Sequence, residues 1–177
     1  KLVEDAEELV RRLDEENKRL DDDSKRRVEE ANRENEKLIK EIEDEVRKMI
    51  KKLRDLKGTS EETVKRIEKE VRDVVRDLKR LVDELKRRNE KVVKDLRRKY
   101  EEAKRKNEEV LEDIKRRLVR SEEELRKLAK RLKDSIDRSR KILEELEREL
   151  RRSIDELRRA LEELTDELRK VIEELRK

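Results

Sequence analysis

Residues 64–118 read VKRIEKEVRDVVRDLKRLVDELKRRNEKVVKDLRRKYEEAKRKNEEVLEDIKRRL. No Gly or Pro interrupts them, and their seam residues return every eighteen positions. Val64, Val82, Tyr100 and Leu118 form one such series. Ile67, Leu85 and Ala103 form a second, Val71, Asn89 and Asn107 a third, and Leu78, Leu96 and Ile114 a fourth. Eighteen residues make five turns at about 3.6 residues per turn. The seam therefore stays on one side of a straight helix instead of drifting as a seven-residue repeat does. The stretch reads as the middle helix of three.

The same step orders the chain on either side. In the first helix Leu2, Ala6, Leu9, Val10, Leu13 and Asn17 face inward, followed by Leu20, Ser24, Val28, Ala31 and Asn35, then by Leu38 through Leu56. In the third, Leu125, Leu128, Leu132, Ser135, Ile136 and Ser139 are followed eighteen residues later by Leu143, Leu146, Leu150, Ser153, Ile154 and Leu157, and again from Leu161. Between the first two lies Lys57-Gly58-Thr59-Ser60. Gly58 falls where a helix end needs the left-handed conformation. Thr59 with Glu62 fits a capping box, and Ser60 is the alternative cap. The second break has no glycine. There Ser121 with Glu124 spells a capping box, and three acids favour the positive end of a helix dipole.

The predicted fold is all-α, a single-chain antiparallel up-down-up three-helix bundle of long, nearly straight helices. Helices are expected over about 2–57, 60–119 and 122–176, forming one domain over 1–177. Each would be ~80 Å long at 1.5 Å per residue.

Composition excludes several function classes. Charged residues make up 61%, against about 25% in ordinary domains. Periodicity assigns them to solvated helix faces rather than to disorder. Lys plus Arg is 56 and Asp plus Glu is 52, and the two signs interleave. No basic block marks a nucleic-acid or anionic-membrane partner. Asp21, Asp22 and Asp23 precede Lys25, Arg26 and Arg27 and read as surface charges. Without His or Cys there is no His or Cys zinc site and no Ser-His or Cys-His nucleophile. Adjacent carboxylates such as Glu144-Glu145 carry no specificity among 52 acids. The expectation is no enzyme, no cofactor, no metal and no required partner. No run approaches the ~20 apolar residues of a membrane helix, and no secretory leader pattern is present. Soluble expression in the cytoplasm is expected.

Polar residues on the seam are the informative exceptions: Asn17, Ser24, Asn35, Asn89, Tyr100, Asn107, Ser135, Ser139 and Ser153. Buried amides and hydroxyls need hydrogen-bond partners. With short connections, first- and second-helix numbers at one height should sum to about 117, and second- and third-helix numbers to about 240. That places Asn17, Tyr100 and Ser139 at one level, with Ser24 a further partner for Tyr100. Asn89 falls near Ser153, with Asn32 or Asn35 close by, and Asn107 near Ser135. Such residues would fix helix register, as a buried Asn does in coiled coils. The three serines could instead bond to their own helix backbone.

His, Cys, Phe, Trp, Pro and Gln are all absent, and Gly, Met and Tyr each occur once. Over its full length the chain resembles de novo designed, parametrically generated helical bundles, and among them those with buried hydrogen-bond networks. The resemblance rests on the repeat, the capped turns, the restricted alphabet and the polar layers. It implies a very stable monomeric scaffold without natural activity. Such designs also serve as switches or assembly components, so a further helix or a second copy could lie along the apolar stripe. Val74-Val75, Val92-Val93 and Ile142-Leu143 widen that stripe. Spectrin-like three-helix repeats are a poorer likeness, since these helices are longer and lack aromatic core residues.

Overall fold

The computed structural model describes residues 1–176. It contains three α-helices: α1 (Leu2–Asp55), α2 (Glu61–Arg117) and α3 (Glu122–Arg176). There is no strand among the described residues. The fold is all-α, with three long helices packed as a bundle. The helix ends fall within two residues of those expected.

Gly58 closes α1 at φ +93°, the left-handed region that a Cβ disfavours. The Leu56 N–H turns back to the Leu53 carbonyl at 3.2 Å, and Thr59 N–H to Leu56 at 3.2 Å. The cap of α2 is Ser60, not Thr59. Ser60 Oγ accepts the Thr63 N–H at 3.4 Å and lies 2.9 Å from the Thr63 hydroxyl. One residue of extra turn after the glycine moves the cap from Thr59 to Ser60. The second turn needs no positive φ. There the Ser121 N–H bonds the Leu118 carbonyl at 3.0 Å, and the Ser121 carbonyl starts α3 by accepting from Leu125 at 3.0 Å.

The chain groups into two compact units. Unit 1 comprises residues 1–29 and 91–149. Its apolar core takes Ala6, Val10 and Leu13 from α1, Ile114 from α2, Leu118 from the turn after it, and Leu128 and Leu132 from α3. Unit 2 comprises residues 30–90 and 150–177. There Ile42, Val46 and Leu53 pack with Val71, Val75, Leu78, Val82 and Leu85 and with α3 residues from Ile154 to Ile172. Each fully buried aliphatic side chain contributes about 1.5–3 kcal/mol relative to exposure. The paired apolar positions are largely covered: Val75 and Leu143 are buried, while Val74, Val92, Val93 and Ile142 are half-buried.

Between helices of unit 1, Arg97 Nη2 donates to Glu147 at 2.8 Å and Arg27 to Asp95 at 3.3 Å. In unit 2, Arg176 pairs with Glu68. Each of these pairs keeps at least one side chain partly in solvent, and pairs in such contact with water are worth ~0–1 kcal/mol each.

Candidate functional site

The polar seam of unit 1 converges on Asn17. Its Nδ2 uses both hydrogens, one to Asn107 Oδ1 at 3.2 Å and one to Ser135 Oγ at 2.9 Å. Asn107 Nδ2 in turn donates to the Leu132 carbonyl at 3.0 Å. The carbonyl has a second lone pair beyond its helical bond, so the donation need not displace the helix ladder. Asn17, Asn107 and Ser135 are at most 5% exposed. One polar layer thus joins all three helices inside an apolar core.

This layer differs from the level expected of Asn17. Asn107 and Ser135 stand where Tyr100 and Ser139 were placed. Side-chain direction supplies a small part of the difference. Helical side chains lean toward their own N-terminus. Antiparallel neighbours therefore touch at positions whose numbers sum to more than the turn midpoint suggests. That lean amounts to about one position on each helix, so it does not account for the two turns on α2 from Tyr100 to Asn107. Ser139 is buried, but its Oγ has no protein hydrogen-bond partner. Tyr100 is half-buried. Burial raises its phenol pKa; the Arg140 charge opposes this, and the carboxylates of Glu101, Asp137 and Glu144 add to it. Ser24 is buried as well.

A charged clamp flanks the layer. Arg138 on α3 donates to Asp14 at 3.0 Å and to Asp21 at 3.3 Å, two α1 residues seven positions apart. Burial disfavours the Arg138 charge, and its bonds to Asp14 and Asp21 more than offset that. Burial likewise opposes the Asp14 charge. Hydrogen bonds from Ser135 and Arg138, with the Arg138 and Lys18 charges, outweigh it and hold the carboxyl below its ordinary range. Ser135 therefore relates clamp to layer, since it accepts from Asn17 and favours the Asp14 charge. Asp21, read from sequence as a surface charge, is only 5% exposed. The sequence reading missed Asp14, Asp21 and Arg138. The available signal was spacing: Asp14 and Asp21 sit three before and four after Asn17, on its helix face, and Arg138 sits three after Ser135.

In unit 2 Asn35 Nδ2 donates to Ser153 Oγ at 2.7 Å. Asn35 is fully buried, Asn89 is 4% exposed, and Ser153 is half-buried. The Asn35–Ser153 bond spans 118 positions, the same span as Asn17–Ser135. Three amide atoms of this unit, Asn32 Oδ1, Asn35 Oδ1 and Asn89 Nδ2, have no protein partner. The bond to its own helix expected of a serine belongs instead to Thr165, whose hydroxyl donates to the Leu161 carbonyl at 2.7 Å. Sequence reading did not single out Thr165.

Among the described residues no group of three His, Cys, Asp or Glu side chains could hold a metal ion. No described helix is long and apolar enough to cross a membrane.

No protein-family model matches this sequence. No curated protein matches it either. Among solved structures the chain is similar to a computationally designed three helix bundle, at 22% identity and a TM-score of 0.39. That match covers 99% of this chain and 89% of the other.

Proposed function

We propose that this chain is a designed structural scaffold, parametrically generated, with no natural biochemical activity and no catalytic role. Its polar core residues set which helix faces which, and at what height. The observation that carries this reading is the span of 118 positions shared by Asn17–Ser135 and Asn35–Ser153. Two polar pairs, eighteen residues apart, specify one α1–α3 register twice. An apolar core rewards any packing that buries its leucines. A buried amide rewards only the packing that gives it a partner.

The test replaces the four layer asparagines together: Asn17→Leu, Asn35→Leu, Asn89→Leu and Asn107→Leu. Register is read as the electron–electron distance between spin labels on cysteines introduced at Glu15 and Lys133, both exposed. The native background has no cysteine. The unmodified layers should give one narrow distance. The Leu variant should stay helical and give a broad or multiple distribution. A single unchanged distance in the Leu variant would show that the layers do not set register, and would sink the proposal.

A further inference from the structure

Asn35, Asn89 and Ser153 are displaced by one eighteen-residue step from Asn17, Asn107 and Ser135. The step runs up α1, down α2 and up α3, as antiparallel helices require. The second layer therefore repeats the residue types and register of the first. It does not repeat the bonds. In the first layer Asn17 donates to Asn107 Oδ1, and Asn107 donates onward to a backbone carbonyl. In the second the Asn35 amide reaches Ser153, while its own Oδ1 and the Asn89 Nδ2 have no protein partner. Asn32 Oδ1, one turn before Asn35, has none either. The counterpart of Asn32 in the first layer is Asp14, which Arg138 holds. The counterpart of Arg138 is Glu156, an exposed carboxylate with no hydrogen to give an amide oxygen.

The open atoms are two acceptors and one donor. A water molecule offers two donors and accepts in return. We infer that the Asn32–Asn35–Asn89 cluster is a binding site for one internal water, which donates to Asn32 Oδ1 and Asn35 Oδ1 and accepts from Asn89 Nδ2. Three bonds is the usual number for a buried water, and the site is polar enough to hold one. Left unfilled, three buried amide atoms would each lack a partner, a cost that folded proteins seldom tolerate.

The test counts long-lived waters by oxygen-17 magnetic relaxation dispersion on the full chain. Asn89→Leu removes the unpartnered donor that the water would accept from, and Asn107→Leu is the matched change in the first layer. The unmodified chain should lose one long-lived water on Asn89→Leu and none on Asn107→Leu. Equal counts in the unmodified chain and Asn89→Leu would overturn the inference. A high-resolution crystal structure of the unmodified chain decides independently of any variant. Density for a water within hydrogen-bond reach of all three amides supports the site. Asn89 Nδ2 bonded directly to the Leu150 carbonyl, as its counterpart Asn107 is to Leu132, excludes it.

Discussion

Asn17 uses both amide hydrogens on other helices, so its loss is felt by its partners. Asn17→Ala strands Asn107 Oδ1 inside the core, and a buried orphan acceptor costs about 1–3 kcal/mol. Guanidinium denaturation should show that loss. Replacing Asn17, Asn107 and Ser135 together by apolar residues should cost less than the single change, or stabilise, because no group is left unpaired. Asp14 gives the layer a pH dependence. Its pKa is lowered on folding, so the unfolded chain binds its proton more readily. The stability it contributes is present above the ordinary aspartate pKa of 3.8 and is lost as pH falls below it. Asp14→Asn should flatten that part of the stability–pH curve between neutral and strongly acidic pH, measured by denaturant midpoint. An unchanged curve would place the acid sensitivity elsewhere. That polar residues sit on the seam was legible from periodicity alone. The nearness of Asn35 to Ser153 and of Asn107 to Ser135 was legible too. The partners of Asn17 were not, because a height counted from the turns does not fix which residues of two helices meet.

At the scale of the element, the turns separate two kinds of helix ending. Nothing lies within 4 Å of a Cβ added at Gly58, yet its φ is +93°. The penalty for Gly58→Ala is therefore conformational, about 1–2 kcal/mol. It should appear as a shifted midpoint with an unchanged denaturant slope. Ser60→Ala should cost about 0.5–1 kcal/mol, and Thr59→Ala almost nothing, because Ser60 carries the cap. The reverse ranking would restore Thr59 as the cap. Helix extents were legible to within two residues from the eighteen-residue step and the single glycine. The choice between two adjacent hydroxyls was not, since sequence does not say how many residues the turn takes.

For the whole molecule the expected outcome is a 21.8 kDa species in light scattering, with a melting point above ~90 °C. Long helices, good caps and buried aliphatic layers all act in that direction. Among the described residues, the exposed large apolar side chains are Leu2, Leu81 and Val119. Three residues are too few for a patch that demands a partner. A dimer would redirect attention to the apolar stripe and to a second copy. A clear transition near 60 °C would mean that the polar layers cost more than the apolar layers on either side return.

The repeat also makes the chain a ruler with identical marks. Two equal marks measure position only to within the interval between them, here eighteen residues. If α1 slid by one interval, Asn35 would take the place of Asn17, and one mark would still read as aligned. Leu53 would then stand opposite Asn89 and Ser153, and Arg138 would meet Asn32 and Ile39 in place of Asp14 and Asp21. The clamp occurs once and has no copy an interval away. It is the numeral on the ruler, telling one graduation from the next.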